Sequence, residues 1–356
     1  MEKYKYTVCT RCMTYNHAPY IVDAMQGFCM QETTFPVVYC ILDDASTDGE
    51  QEVIQKYLHG HFNMNDSSVV RHEETDDYHA IFAQHKTNKN CFFAVYFLKY
   101  NHFSIKKDKR PYYAEWVNSA KYIAYCEGDD YWTSPQKLQK QVEFLESHPE
   151  YVFCCHRFKI YDQNKHSFRK EYGFASYKEN EHLEISEELF LNTWITQILT
   201  SIFRKDAYNR AMDTCIAYYN TGRDTFLYYE LLKLGKGISL NQYMGIYRWH
   251  DGGIAIGLNQ AAKYKNGINL YTSIYKHHPE DKLLLPKIRY NYDELLRYAT
   301  ISREGHALYK ESLLYCETLS QKMRMLMMYI IHPKLFIIPN KIFKYYLRRK
   351  CSISNP

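Results

Sequence analysis

Three carboxylates follow an apolar run in the segment KYIAYCEGDDYW, residues 121–132. They belong to Glu127, Asp129 and Asp130, and the run before them has the composition of a buried strand. Carboxylates this close together either raise one another's pKa or share a cation, and hard divalent ions readily accept oxygen ligands. Mg²⁺ and Mn²⁺ often complete their coordination with substrate phosphates, so the cluster predicts a divalent metal and a phosphate-bearing partner.

Two further polar clusters follow earlier apolar runs in the same way. Their members are Thr14, Tyr15 and Asn16 in the first cluster, and Asp43, Asp44, Ser46, Thr47 and Asp48 in the second. Each cluster alone has an ordinary explanation as a helix cap or a turn. Together they indicate one ligand site, because ligands of open α/β sheets bind beyond the carboxyl ends of the strands.

The elements that must position these clusters alternate between strand and helix. The strands are predicted in Tyr6–Met13, FPVVYCILDD and KYIAYC, and amphipathic helices follow in YIVDAMQGFCMQ, QEVIQKYL and SPQKLQKQVEFLESHPE. This alternation predicts an α/β fold with a mostly parallel sheet flanked by helices. Residues 63–110 show no clear pattern, and strand signals end near residue 256. We therefore expect an α/β domain over residues 1–255 and a helical C-terminal region over residues 256–356.

The composition argues against several classes of protein. A net charge of +5 over 356 residues does not indicate nucleic acid binding. The sequence has no glycine-rich phosphate loop and no G-x-G-x-x-G, which argues against NTPases and dehydrogenases. Eleven irregularly spaced cysteines are typical of reduced thiols, and no signal peptide or membrane span is evident. We expect a protein of the cytoplasm or of the inner face of the membrane.

Three segments resemble the successive signatures of family 2 glycosyltransferases: TYNHAPYI, YCILDDASTDG and YIAYCEGDDYWTSPQKLQKQVEFLE. The resemblance covers about residues 5–255. It implies a GT-A fold and an inverting enzyme that uses a nucleotide-diphospho-sugar. It also places the family's D-x-D motif at EGDDYW, with Glu127 in the first acidic place.

The resemblance implies roles for individual residues. Tyr15 and Asp44 match positions that contact the nucleotide base, and Asp43 stands beside them. Asp129 matches the second acid of D-x-D, while Asp130 matches a direct metal ligand in another arrangement of the motif. Both acids therefore stay candidates for the primary ligand of Mn²⁺ or Mg²⁺.

The resemblance also implies a catalytic base in TGRDTFLYYELL, where Asp224 opens a predicted helix. A carboxylate there can accept the proton of the attacking hydroxyl, although a helix-capping role is the alternative. In YRWHDGG, Arg248 and His250 are candidates for diphosphate or metal contacts. Trp132 and Trp194 are candidates for acceptor contacts, because sugar rings pack on aromatic faces.

The C-terminal segment contains five basic residues and no acidic one between Lys341 and Lys350, after two apolar runs. Such a segment can lie in a membrane interface, or it can pack on the protein with a solvated basic face. The sequence therefore predicts a metal-dependent glycosyltransferase that moves a sugar, most simply from a UDP-sugar, to a saccharide or lipid-linked glycan. The alternatives are a nucleotidyltransferase of related fold and an inactive nucleotide-sugar-binding protein.

Overall fold

The computed structural model describes residues 4–171, 173–179, 181–253, 259–299 and 302–330. The chain divides into two compact units, Met1–Gly253 and Ile254–Pro356. The basic segment between Lys341 and Lys350 lies outside the described residues. None of the described helices is both long enough and apolar enough to cross a membrane.

The first unit contains a twelve-stranded sheet. Its strands are β1 (Tyr6–Thr14), β2 (Val37–Asp43), β3 (Arg71–Glu74), β4 (Tyr78–Gln84), β5 (Cys91–Leu98), β6 (Ala120–Tyr125), β7 (Tyr131–Trp132), β8 (Tyr151–Asp162), β9 (Ser167–Phe168), β10 (Leu183–Ile185), β11 (Ile202–Arg204) and β12 (Lys236–Trp249). The main order is β10-β12-β8-β11-β6-β1-β2-β5-β4-β3. β7 pairs with β12, and β9 pairs with β8.

Among the described residues of the first unit, seven α-helices accompany the sheet. They are α1 (Ile21–Cys29), α2 (Glu50–His61), α3 (Arg110–Asn118), α4 (Lys137–Ser147), α5 (Glu187–Asn192), α6 (Lys205–Thr214) and α7 (Asp224–Leu234). Shorter helical turns lie at Ile198–Thr200 (3₁₀) and Cys215–Tyr219 (π).

The centre of the sheet is parallel: β5, β2, β1 and β6 all run in one direction. All seven residues of β2 are buried, as expected for a continuous apolar strand covered on both faces. Antiparallel strands extend the sheet on both sides, with β4 and β3 beside β5 and β11 beside β6. The predicted α/β fold, with helices flanking a central parallel sheet, is confirmed.

The main core lies between the sheet and the helices α1, α2 and α4. Phe28 of α1 stacks on Tyr39 of β2 at 4.8 Å between ring centroids, and Trp132 meets Phe28 edge to face at 5.2 Å. All three side chains are almost completely buried. The amphipathic helices predicted from the sequence thus cover one face of the central strands.

The second unit is helical throughout its described residues. Its helices are α8 (Gln260–His277), α9 (Leu284–Leu296), α10 (Arg303–Ser312) and α11 (Leu319–Ile330), with a 3₁₀ turn at Leu313–Tyr315. Ile268 and Ile274 of α8 and Ile288 of α9 are buried. The Arg324 guanidinium of α11 pairs with the Asp293 carboxylate of α9, with Nε and Oδ2 2.9 Å apart.

One lysine is buried in the first unit without a carboxylate partner. Lys137 opens α4 with no exposed surface, and its Nζ lies 4.0 Å from the centroid of the Trp132 ring. That Nζ has no hydrogen-bond partner among the described residues. Burial lowers the pKa of Lys137 to about 7. Unfolding therefore takes up a proton between pH 7 and the ordinary lysine pKa of 10.5, and stability rises with pH across this window.

We expect Lys137→Met to raise the free energy of unfolding at pH 7 by about 1–3 kcal/mol, because methionine fills the site without a buried cation. The gain should shrink toward pH 10, where the native lysine costs less. Urea unfolding of the wild type and the variant at pH 7 and pH 9.5 measures this gain in the free energy of unfolding. Lys140→Met is the matched control on the same helix, since that ammonium donates to Gln242 at the surface. A gain of equal size at both pH values would contradict this account.

Candidate active site

The carboxyl ends of β1, β2 and β6 meet at one edge of the sheet. The loops that follow them are joined by hydrogen bonds from backbone amides. The Asn16 amide donates to Ser46 Oγ at 2.9 Å, and the Thr47 amide donates to Asn16 Oδ1 at 2.8 Å. The Gly128 amide donates to the Met13 carbonyl at 3.0 Å. The structure thus brings together the three polar clusters that the sequence places at strand ends.

Gly128 permits the close approach of the third loop to the first. A Cβ atom at this position would lie 2.1 Å from Thr14 Oγ1 and 2.6 Å from Thr14 Cβ. Any larger residue would push Thr14 away from its neighbours. The glycine between the acids is therefore a packing requirement of the site.

The three acids after β6 do not point the same way. Glu127 and Asp129 are half-buried at the edge, whereas Asp130 is 2% exposed. Asp130 Oδ1 accepts the backbone amide of Arg248 at 2.8 Å, which fixes β12 against this loop. Burial and the neighbouring Asp129 charge raise the pKa of both Glu127, to about 8, and Asp130. Crowded carboxylates of this kind are stabilised by a cation.

Asp129 is joined by two histidines from distant parts of the chain. Its Oδ2 lies 3.0 Å from His250 Nε2 and 3.9 Å from His17 Nε2. The three ligand atoms all lie within 4.8 Å of one another. The two imidazole rings meet edge to face with centroids 5.7 Å apart. Two nitrogens and one carboxylate oxygen at this spacing fit a divalent cation.

A chain of hydrogen bonds sets the tautomer that we assign to His17. The Thr14 hydroxyl donates to a Glu50 carboxylate oxygen, so Thr14 Oγ1 accepts from His17 Nδ1 at 3.2 Å. Glu50 also accepts the Ser46 hydroxyl and the His17 backbone amide, each at 2.8 Å. Burial lowers the pKa of His17 and raises that of Glu50 to about 7. With its proton on Nδ1, His17 presents the Nε2 lone pair toward Asp129.

The sequence prediction did not include His17 and Glu50. His17 lies in the loop TYNHAPY after the first strand. A histidine in a loop at the end of a strand was the feature of the sequence that could have identified it as a candidate ligand. In the sequence, Glu50 resembles any acidic residue in the first turn of a helix, here α2. Its contact with Thr14 links residues 36 positions apart, which only the paired strands bring together.

Arg248 holds the site together from β12. Its side chain is 6% exposed, and Nε donates to the Asp129 carbonyl at 2.8 Å. One terminal nitrogen pairs with Asp23 Oδ2 at 2.7 Å, and the other donates to Gln163 Oε1 at 3.1 Å. The guanidinium also lies over the Tyr20 ring, 4.6 Å from its centroid. These contacts indicate a positioning role for Arg248.

Of the residues predicted to contact the nucleotide, Tyr15 is the most exposed, at 43%. Asp43 and Asp44 are buried instead. Asp43 Oδ1 accepts the Ser46 amide at 3.1 Å and Gln51 Nε2 at 2.5 Å, which closes the turn before α2. The structure thus buries the Asp43 side chain within the turn, where it is not exposed to a ligand.

Asp44 anchors the loop that precedes α3. Its carboxylate accepts the backbone amides of His102 at 2.7 Å and Phe103 at 3.0 Å. Lys109 Nζ pairs with Asp44 Oδ2 at 2.5 Å. The Lys109 charge also acts on the third cluster, where it lowers the pKa of Glu127 against the larger effect of burial.

Asp224 opens α7 as predicted, and its side chain is exposed. Its Oδ1 accepts the Thr225 amide at 2.7 Å. Tyr247 of β12 is affected by the charge of Asp224 and by the charges of the acids after β6. Burial and the charges of Asp130, Asp129 and Asp224 raise the pKa of Tyr247 to about 12. All three carboxylates therefore lie within electrostatic range of one phenol, a residue that the sequence prediction did not single out.

The two tryptophans proposed for acceptor contacts lie in different surroundings. Trp194 is half-buried, stacks on Phe174 at 5.2 Å and meets the Tyr247 ring edge to face at 6.2 Å. Trp132 is 1% exposed, and its Nε1 donates to the Leu199 carbonyl at 2.8 Å. The structure corrects the expectation for Trp132, because a side chain within the core offers no surface to an acceptor.

No protein-family model matches the chain. Three curated proteins, one of Mycobacterium bovis and two of Mycobacterium tuberculosis, are 32% identical to it over 148 residues. All three are described as uncharacterized. The match covers 42% of this chain and 34% of each relative, so it spans about a third of the length of these proteins.

Among solved structures, the chain is similar to S. aureus TarS 1–349 in complex with UDP-GlcNAc, with a TM-score of 0.49 and 14% identity over 91% of this chain and 89% of that one. It is also similar to the mannosyltransferase PcManGT from Pyrobaculum calidifontis in complex with GDP-Man and Mn²⁺. There the TM-score is 0.45 and the identity 13%, over 91% of this chain and 84% of that one. Similarities at this level do not decide what this chain binds.

Proposed function

We propose that the protein is a metal-dependent, inverting glycosyltransferase of family 2 with a GT-A fold. It transfers a sugar from a nucleotide-diphospho-sugar, most simply a UDP-sugar, to a saccharide or lipid-linked glycan. The observation that carries this proposal is the cluster of His17, Asp129 and His250 at the carboxyl edge of a parallel sheet. The charges of Asp224 and Asp129 both raise the pKa of the Tyr247 phenol.

Asp129, His250 and His17 would hold the cation, with Glu127 at the edge of the same site. Imidazole nitrogens favour Mn²⁺ over Mg²⁺, which prefers an all-oxygen shell. When bound, the cation supplies positive charge that stabilises the leaving diphosphate. Asp130 and Arg248 keep β12 and the acid loop in register, so that His250 faces Asp129.

The chain's own groups would bind and orient the donor. Tyr15 offers an exposed ring on which a nucleotide base can stack. Asp44 would support donor binding indirectly, since it orders the loop that carries Lys109. The Lys109 charge acts on Glu127, whose pKa it lowers, and this positive charge would attract an anionic donor.

Asp224 would act as the general base. Its Oδ1 is held by the Thr225 amide at 2.7 Å, which fixes the carboxylate at the start of α7. The carboxylate would take the proton of the acceptor hydroxyl as that oxygen attacks the anomeric carbon, opposite the diphosphate. The Trp194 and Tyr247 rings, which meet edge to face, would offer an aromatic surface to a sugar ring.

A thermal-shift panel tests this function. It compares UDP, GDP, UDP-GlcNAc and GDP-Man with and without Mn²⁺, the last two being the donors of the two solved structures named above. Stabilisation by a nucleotide diphosphate only with Mn²⁺ supports the proposal. Release of the diphosphate together with transfer of the sugar distinguishes an enzyme from a binding protein. Indifference to every nucleotide would refute it.

A membrane surface is the proposed location of the acceptor, on the cytoplasmic side. Helix α11 exposes Leu319, Met323, Met327 and Ile330, which recur at three- or four-residue spacing on one face. The basic segment from Lys341 to Lys350 follows. An apolar helix face and a basic segment later in the sequence are the features that suit an anionic lipid surface.

We expect the full chain to sediment with vesicles that contain an anionic lipid. The double variant Met323→Glu and Met327→Glu should release it, because each glutamate places a charge on the apolar face. Vesicles of a neutral lipid are the control, because they lack the electrostatic attraction between anionic lipid and the basic residues. Equal sedimentation of the wild type and the variant would exclude this face as the contact.

A further inference from the structure

A polar surface cavity of about 640 Å³ lies at the sheet edge opposite the candidate active site. One wall is formed by residues 29–34, which lead from α1 to β2, and another by the exposed side of α4. The turn of residues 87–88 before β5 completes the lining. β2 and β5 are parallel and begin beside these loops, so the cavity lies at the amino ends of the strands. The acid clusters follow the carboxyl ends.

Two side-chain amides hold the walls of this cavity in place. Gln31 is 1% exposed, its Nε2 donates to the Ser134 carbonyl at 2.9 Å, and its Oε1 accepts the Leu138 amide at 3.1 Å. Asn88 Nδ2 donates to the Gln31 carbonyl at 2.9 Å. These bonds tie the loop after α1 to α4 and to the turn before β5. The walls are therefore fixed before a ligand binds, which lowers the entropic cost of binding.

Pairs of amides and carboxylates line the cavity. Gln136 Nε2 donates to Glu32 Oε2 at 2.7 Å, and Gln139 Nε2 donates to Glu143 Oε1 at 2.7 Å. An amide nitrogen has a second N–H, and a carboxylate has a second oxygen. Each pair can therefore offer a donor and an acceptor side by side. This arrangement suits a hydroxyl group, which both donates and accepts.

A smaller cavity of about 250 Å³ continues along α4 and shares Glu143 with the first. The Phe144 ring and the Leu240 side chain give it apolar surface. Lys140 Nζ and Gln242 Oε1, which also line it, form a hydrogen bond of 2.9 Å. Sugar rings pack on apolar and aromatic surface while their hydroxyls bind polar groups. The two cavities, which we call the α4 groove, combine both kinds of surface.

We propose that the α4 groove binds a neutral oligosaccharide. The larger cavity has the size of a ligand site, roughly 300–1,000 Å³, but its lining is mostly amide, hydroxyl and carboxylate, which suits a polyhydroxylated ligand. No basic residue among the described ones lines this larger cavity, so Glu32 and Glu143 disfavour phosphates and other anions. Lys140 in the smaller cavity disfavours a cationic peptide. The site is separate from the candidate active site and does not depend on the proposed transferase function.

Saturation-transfer NMR titrations of the full chain test this proposal. The probes are neutral hexasaccharides: an α-linked and a β-linked glucose hexamer, a mannose hexamer and an N-acetylglucosamine hexamer. We expect at least one of them to bind with a Kd of about 1 mM or tighter. Failure of all four to bind would overturn the proposal. Tighter binding of hexalysine than of any oligosaccharide would also overturn it, and would assign the groove to a cationic peptide.

Glu143→Ala locates the bound oligosaccharide. The variant removes a carboxylate from both cavities and frees Gln139 from its partner, so the affinity should fall at least about tenfold. Glu146→Ala is the matched control, because Glu146 is also exposed on α4 but lies outside both linings and pairs with Lys121 Nζ at 2.6 Å. Its affinity should equal that of the wild type. Wild-type affinity in Glu143→Ala would place the sugar elsewhere on the protein and refute the α4 groove as its site.

Discussion

Asp129→Asn should lower sugar transfer in the presence of Mn²⁺ by at least about 10³-fold, which corresponds to about 4 kcal/mol of transition-state stabilisation. Asparagine keeps an oxygen that can accept from His250 but removes the negative charge shared by the two histidines. The site then loses its anionic ligand, and the affinity for Mn²⁺ should fall with the turnover. Calorimetric titration with Mn²⁺ and steady-state release of the nucleotide diphosphate measure the two effects.

Asp130→Asn is the matched control for this prediction. Asp130 is buried and accepts the Arg248 amide through Oδ1, a contact that asparagine can preserve. We expect its turnover to fall by less than about tenfold, with Mn²⁺ affinity close to that of the wild type. If Asp130→Asn removed Mn²⁺ binding while Asp129→Asn retained it, the assignment of the two acids would have to be exchanged.

The sequence could predict much of the central fold for a physical reason. Strands such as β2 are buried on both faces, so they appear as continuous apolar runs between polar turns. The secondary structure of residues 63–110 was harder to predict, because β3 is a short, mostly exposed edge strand of four residues. The loop before α3 is polar as well, and its order depends on the buried Asp44 carboxylate from another strand end.

The sequence could predict which loops form the candidate site. It could not predict which side chains in those loops contact one another. Side-chain direction after β6 is set by the turn and by the approach of β12, which places Asp130 inward and Asp129 toward His250. The Asp129–His250 contact joins residues 121 positions apart in the sequence. His17, which also lies beside Asp129, is near the start of the sequence. No local pattern encodes such distances, because they follow from the order of the strands.

Asp224→Asn should lower transfer by about 10²–10⁴-fold and leave donor binding unchanged, because a general base acts on the acceptor proton and not on the nucleotide. Asparagine can still accept the Thr225 amide, so α7 should keep its first turn. The thermal shift caused by a nucleotide diphosphate with Mn²⁺ should therefore match that of the wild type. Transfer to the acceptor, measured at saturating donor, should show the full loss.

Asp206→Asn separates this catalytic role of Asp224 from a structural one. Asp206 is likewise an exposed acid in the first turn of a helix, α6, and its loss should cost only about 0.3–1 kcal/mol of stability through the helix dipole. If Asp224 served only as a capping acid, both variants would lose similar stability and neither would lose much turnover. A large loss of turnover confined to Asp224→Asn, at equal melting temperatures, identifies the base. Wild-type transfer by that variant would remove Asp224 from the mechanism and leave the metal site without an assigned base.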